Sequence, residues 1–92
     1  MSLTIYEKVV KELKDTLISF DGKLSPDDMG GKIANVIFNY EMWEDDHDPD
    51  LIVKYPALDE ILCLATDLEV PMSPKHAKMF YNQMVSKIRN LR

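Results

Sequence analysis

Apolar residues recur every three or four positions through most of the chain, and this period constrains the fold more than any other feature. Segments 5–20, 26–42, 56–68 and 74–91 each show it, and such spacing places an apolar stripe along one side of a helix. No segment of any length alternates apolar and polar residues with the period of a strand. We therefore expect an all-α fold, a small antiparallel four-helix bundle that forms a single helical domain over residues 1–92.

Residues that favour helix ends mark where these helices begin. Thr4 and Glu7 have the spacing of a capping box, in which each side chain bonds the backbone N–H of the other. Ser-Pro pairs at Ser25 and Ser73 predict two further helix starts, because Ser caps a helix and Pro suits its first position. Residues 51–54 can form one short helical turn. The turn is expected to end at Tyr55, because Pro56 disfavours the helical conformation of the residue before it.

The second helix has apolar residues on two sides. One side runs from Met29 to Tyr40, and Phe38 and Met42 lie on the opposite side. A helix of this kind either is central in its own domain or presents a patch to a partner. We interpret Phe38 and Met42 as an interface, which includes a homodimer contact. For Trp43 two interpretations stay open: it completes the core with Tyr40, which is the favoured one, or it belongs to the interface.

Charge is distributed unevenly along the chain, whose net charge is −5. Residues 41–69 contain ten acids and one base, whereas residues 70–92 contain five bases and no acid. The excess of acids faces solvent, where such a field sets partner choice and association rate. The acidic balance argues against a nucleic-acid ligand, because nucleic-acid affinity depends on neutralising phosphates.

One acidic pattern is similar to a calcium-binding sequence but is incomplete. Asp46, Asp48 and Asp50 are spaced like the opening of a calcium loop, but the later positions for Gly and for the bidentate Glu hold Leu51 and Ala57. We interpret this segment as a solvated acidic loop.

Catalytic chemistry has equally little support in the sequence. Glu41 and Glu44 have the spacing of half of a magnesium-dependent hydrolase site, and the second half is missing because Cys63 follows Glu60 where an acid is needed. The single Cys excludes an internal disulfide and a cysteine zinc cluster. We predict that the protein is not an enzyme and uses neither a metal nor a cofactor.

No apolar run approaches 18 residues, and the N-terminus lacks the charged lead and apolar core of a signal peptide. The expectation is a cytoplasmic protein without a membrane span.

The residues Glu-Met-Trp-Glu at 41–44, followed by Asp-Leu-Ile at 50–52 and Tyr-Pro at 55–56, resemble the colicin- and pyocin-type nuclease immunity proteins. Those proteins are small, acidic and four-helical, and they bind and neutralise a basic bacterial DNase toxin. The resemblance implies the same fold and a nuclease toxin as the partner.

The resemblance also implies roles for individual residues. Glu41 and Glu44 correspond to the acids at the end of the second helix, and Asp50 and Tyr55 correspond to the contacts of the short third helix. The segment is one residue longer here than in that family. If it is helical, the extra residue rotates Tyr55 by about 100° from the family's direction.

We predict a non-enzymatic protein-binding module that presents an acidic, aromatic-bearing surface to a basic protein partner, as a bacteriocin immunity-type inhibitor does. The predicted partner-binding residues are Phe38, Glu41, Met42, Trp43, Glu44, Asp45, Asp46, Asp48, Asp50 and Tyr55. The alternative is a small homodimeric structural bundle that packs through the second helix and has no catalytic activity.

Overall fold

A computed structural model describes residues 3–92, and in that part of the chain every regular element is helical. The elements are α1 (Ile5–Phe20), α2 (Pro26–Phe38), a π-helical segment (Asn39–Trp43), α3 (Leu51–Lys54), α4 (Pro56–Leu68) and α5 (Pro74–Arg89). The prediction of an all-α fold is confirmed. Residues 1 and 2 belong to the predicted domain 1–92 but lie outside the described residues.

The predicted helix starts have the expected side-chain bonds at α1 and α5. Thr4 Oγ1 accepts from the Glu7 backbone N–H at 3.1 Å, and Glu7 Oε1 accepts from the Thr4 N–H at 3.2 Å, which confirms the capping box. At α5 the Ser73 hydroxyl accepts from the His76 N–H at 3.3 Å. These bonds satisfy N–H groups that have no partner inside the helix.

The start of α2 has a different structure. Ser25 occupies the cap position, but its side chain makes no bond to the helix backbone. It donates instead to Asp28 Oδ2 at 3.0 Å. The Ser25 cap prediction is wrong in this respect, and α2 begins with Pro26, whose fixed φ suits the first helical position.

The second helix, α2, is central in the molecule. It contacts α1, α4 and α5, and it has buried residues on both sides: Ile33 is fully buried, and Ala34 on the other side is 2% exposed. A Cβ atom added at Gly30 would lie 2.5 Å from the Ala65 carbonyl oxygen, so glycine permits α2 and α4 to approach closely at this point. The sequence left two roles open for this helix, a central position in the domain or a patch for a partner. The structure confirms the central position.

The core also includes residues from every other α-helix. Its fully buried larger side chains are Val9, Leu13, Met29, Ile33, Ile37, Leu51, Leu58, Ile61, Met84 and Ile88. The short helix α3, predicted as a single turn, is anchored here by Leu51. Among residues 3–92 no helix has both the length and the apolar character needed to cross a membrane.

Candidate protein-binding site

The chain leaves α2 through a π turn and then returns in a closed loop. The Glu44 N–H donates to the Asn39 carbonyl oxygen at 2.8 Å, and the Asp48 N–H donates to the Tyr40 carbonyl oxygen at 2.9 Å. The second bond joins the two ends of the loop. Within the loop, His47 Nδ1 donates to the Glu44 carbonyl oxygen at 2.8 Å. We call residues 41–50 the acidic loop. Its bonds reduce the ordering cost of binding a partner.

Two large apolar side chains of the acidic loop face solvent. Trp43 is 75% exposed and Met42 is 52% exposed, whereas Tyr40, one turn earlier, is 8% exposed. The favoured interpretation that Trp43 completes the core is therefore wrong, although it is right for Tyr40. Aromatic and Met side chains exposed beside charges are typical of interface centres.

The carboxylates of the acidic loop differ in their surroundings. Glu44, Asp45 and Asp50 are exposed. The side chain of Asp46 is also 75% exposed, but it makes a 3.2 Å ion pair with Lys8 of α1. Four of the six acids of the loop therefore present charge to solvent, and the Lys8 pair ties the loop to α1.

Asp48 has a structural role inside the loop. Its Oδ1 accepts from the Asp50 N–H at 2.9 Å, and its Oδ2 accepts from Lys54 Nζ at 2.8 Å. The hydrogen bond from Lys54 lowers the pKa of Asp48. The side chain is only 17% exposed, so we interpret Asp48 as positioning the loop.

Glu41 is partly buried and lies near Asp59 of α4. Its Oε1 atom is buried and has no hydrogen-bond partner among the described residues. Burial raises the pKa of Glu41, and the nearby Asp59 carboxylate raises it further. Direct contact between Glu41 and a partner, which the resemblance implies, would require this side chain to turn outward.

The two remaining predicted residues lie at the edges of the loop. Phe38 is half-buried and packs against the core. Tyr55 is 36% exposed and stacks on Tyr6 of α1, with 4.2 Å between the ring centroids and 26° between the planes. One face of Tyr55 is thus used within the fold. Met42, in the π segment that follows α2, is 52% exposed, so a homodimer through this region stays a prediction that depends on Met42.

The site predicted from the sequence did not include three residues of this region. Tyr6 and Lys8 reach it from α1, and Lys8 lies 38 positions from its partner Asp46. No local sequence pattern reports a contact over that separation. Val53, which is 77% exposed on α3, carries a clearer signal, because it is an apolar residue within an acidic stretch.

Across residues 3–92 no three His, Cys, Asp or Glu side chains are grouped so that they could hold a metal ion. The acidic loop follows the end of α2, and its Trp43 and Met42 side chains are exposed to solvent. In comparisons with known proteins, no family model, curated protein or solved structure matches this chain.

Proposed function

We propose that this chain is a non-enzymatic inhibitor that binds a basic protein partner through the acidic loop, and that the partner is a DNase toxin of the bacteriocin type. One observation carries the proposal. Trp43, 75% exposed, and Met42, 52% exposed, stand beside the solvent-facing carboxylates of Glu44 and Asp45 on a loop whose base is closed by a backbone hydrogen bond.

The two kinds of side chain have different parts in binding. A Trp buried on association is a common hot spot and contributes about 2 kcal/mol or more. Charges at the rim mainly raise the association rate and select partners of opposite sign. Glu44 and Asp45 have no ion pair among the described residues, so their charge is available to a partner.

A DNase supplies the complementary surface. A protein that cuts DNA lines its groove with Lys and Arg, because neutralising phosphates provides most of its affinity. The acidic loop presents several carboxylates in a short space, as a nucleic-acid backbone presents phosphates. An inhibitor of this kind acts where the toxin meets DNA, and we therefore place it in the cytoplasm.

An antiparallel arrangement of the four long helices is part of the proposal, because it sets the loop at one end. Lys32 of α2 lies over the Phe20 ring at the end of α1, 4.6 Å from its centroid, and Tyr40, after the end of α2, donates to Glu12 in the middle of α1 at 2.9 Å. The two contacts together support α1 and α2 running in opposite directions. The ion pair of Lys87 with Glu60, at 2.9 Å, supports the same for α5 and α4. A four-helix antiparallel bundle accounts for these contacts.

The test is protection against purified DNase toxins. Cells that express the chain are challenged with a panel of bacteriocins that carry basic DNase domains, and DNA cleavage by each isolated domain is measured with the chain present. The expected result is survival against at least one toxin and inhibition of that toxin's nuclease domain. Survival against none of the toxins, together with uninhibited nucleases, would overturn the proposal.

A double charge reversal assigns the inhibition to the loop. Glu44→Lys with Asp45→Lys should weaken inhibition at least tenfold, with the larger effect at low salt because exposed charges are screened as salt rises. Asp15→Lys with Asp67→Lys makes the same change in net charge at exposed positions outside the loop. This control should inhibit nearly as well as the unmodified chain, and equal losses in both variants would remove the loop from the proposal.

A further inference from the structure

The outward face of α5 contains no acidic residue. Its exposed members include Lys75, Lys78, Met79, Asn82, Gln83 and Ser86. This face belongs to the segment 70–92, which contains five bases and no acid. No other helix of the described chain covers these side chains.

Two of the cations on this face have no partner within the fold. Lys87 pairs with Glu60 at 2.9 Å, and Arg89 pairs with Asp21 at 3.5 Å. Lys75 and Lys78 are exposed and make no ion pair with any residue from 3 to 92. Both lie in the first two turns of α5, where the helix dipole disfavours cations. The stability of α5 therefore does not explain their presence.

An exposed apolar side chain lies beside these two lysines. Met79, which is 47% exposed, follows Lys78 directly and is one turn from Lys75. The face thus combines two free cations with an exposed thioether. The acidic loop has the complementary set, with exposed carboxylates at Glu44 and Asp45 beside an exposed Trp ring. Thioether sulfur packs favourably against aromatic rings.

The loop and this face are too far apart to meet within one molecule. Gly30, in the first turns of α2, lies against Leu68 at the end of α4, and α5 begins a few residues later. The acidic loop follows the other end of α2, whose 13 residues rise about 20 Å. The contact between the two surfaces must therefore be made between molecules.

We propose that the outward face of α5 binds the acidic loop of a second copy of this chain. Trp43 packs on Met79, and the carboxylates of Glu44 and Asp45 lie opposite Lys75 and Lys78. Because the two surfaces differ, the contact is head-to-tail, and it either closes into a ring or dimer or continues as a chain. The interface is small, below about 1,200 Å² in total, so self-association is weak and sensitive to salt. A basic partner competes with it for the same loop.

Sedimentation velocity on a concentration series, at about 50 mM and about 500 mM salt, tests the contact, because screening separates these two conditions. Self-association is expected at the lower salt and lost at the higher. Trp43 is the only Trp of the chain, so its emission should shift to shorter wavelength as association buries the ring.

Two charge-reversed variants then identify the surfaces. K75E/K78E and E44K/D45K should each be monomeric alone, because each presents like charges at both surfaces. An equimolar mixture of the two should associate again, since each variant then meets an opposite charge. The control K11E/K23E makes the same charge change as K75E/K78E at exposed positions outside α5 and should associate like the unmodified chain.

Three results would overturn the proposal. The chain stays monomeric at low salt, or K75E/K78E associates as the unmodified chain does, or the mixture fails to restore association. Persistence in K75E/K78E would point to another surface, such as Met42. None of these results bears on inhibition of a DNase, because all three concern contact between copies of the chain. Inhibition by K75E/K78E can be measured separately, since this variant leaves the acidic loop intact.

Discussion

Two neighbouring aromatic residues have opposite relations to the fold. Phe38 ends α2 and packs against the core, whereas Trp43 ends the π segment and is 75% exposed. Burial, rather than residue type, decides how much a side chain contributes to folding. We therefore expect Phe38 to contribute mainly to stability and, under the proposed function, Trp43 to contribute mainly to binding.

Replacement of each residue by Ala should separate these roles. Trp43→Ala should change the free energy of unfolding by about 0.5 kcal/mol or less and weaken partner binding about 30-fold, the equivalent of 2 kcal/mol. Phe38→Ala should lower stability by about 1–3 kcal/mol, because it leaves a gap beside the core. Urea unfolding and a binding titration measure the two quantities. A larger stability loss for Trp43→Ala than for Phe38→Ala would contradict the assignment.

Titration of Tyr40 should make the free energy of unfolding depend on pH in the alkaline range. Burial, with the hydrogen bond to Glu12, raises its pKa to about 12, whereas an unfolded Tyr has a pKa of about 10. Between these values the native state keeps a proton that the unfolded state loses, so stability falls as pH rises, by up to about 1.4 kcal/mol per pH unit. Tyr40→Phe should make this fall less steep, and urea unfolding from pH 9 to about pH 12 measures it.

The partly exposed Tyr55 offers a matched control for this experiment. Tyr55→Phe removes a partly exposed hydroxyl and serves as the reference for the Tyr40→Phe variant. An equal effect of both substitutions, or no effect of Tyr40→Phe, would contradict the role assigned to the buried hydroxyl.

Among the elements, the sequence predicts the helices well and the end of α2 poorly. Apolar periodicity and the Thr4–Glu7 box identify α1 correctly, because both signals act within one or two turns. The α-helix of α2 ends at Phe38, and the next five residues form a π turn. An extra residue in a turn rotates the later side chains by about 100°. Helical spacing therefore could not give the direction of Trp43.

The sequence did not predict which residues of α1 contact the loop region, and the reason is different. The Lys8–Asp46 ion pair and the Tyr6–Tyr55 stack join α1 to residues about 40 or more positions later. Such contacts depend on how the helices pack, which local pattern does not report. The acidity and the aromatic content of the site were visible in the sequence, but its separation into exposed and inward-facing carboxylates was not.

The close packing of α2 on α4 can be tested at two adjacent glycines. A Cβ at Gly30 would meet the Ala65 carbonyl oxygen at 2.5 Å and Leu68 Cβ at 2.9 Å, so Gly30→Ala should cost about 1–3 kcal/mol of stability. At Gly31 the nearest atom is the flexible end of Glu69, at 3.0 Å. Gly31→Ala should therefore stabilise by up to about 1 kcal/mol through helix propensity.

Urea unfolding of both glycine variants measures the difference. The two substitutions add the same methyl group to the same helix, so their opposite signs isolate the contact with α4. A stabilising Gly30→Ala would show that α2 and α4 are farther apart than the structure has them.

For the whole molecule, we interpret the uneven distribution of charge as a feature that acts on partners more than on folding. The core is apolar, and the buried residues include no charged or polar side chain among those described. The charged residues instead lie on the surface of a molecule 42 Å long and about 22 Å across. Surface ion pairs contribute little to stability, whereas a local field of one sign guides encounter with a partner of the other sign.

Mapping the contact surface on the bound chain decides whether the acidic loop is the binding site. Amide hydrogen–deuterium exchange is measured on the chain alone and in complex with a DNase domain that it inhibits. We predict slower exchange in the acidic loop, residues 41–50, with little change along α5. Unchanged exchange in the loop, with protection on another face of the bound chain, would contradict binding through the loop.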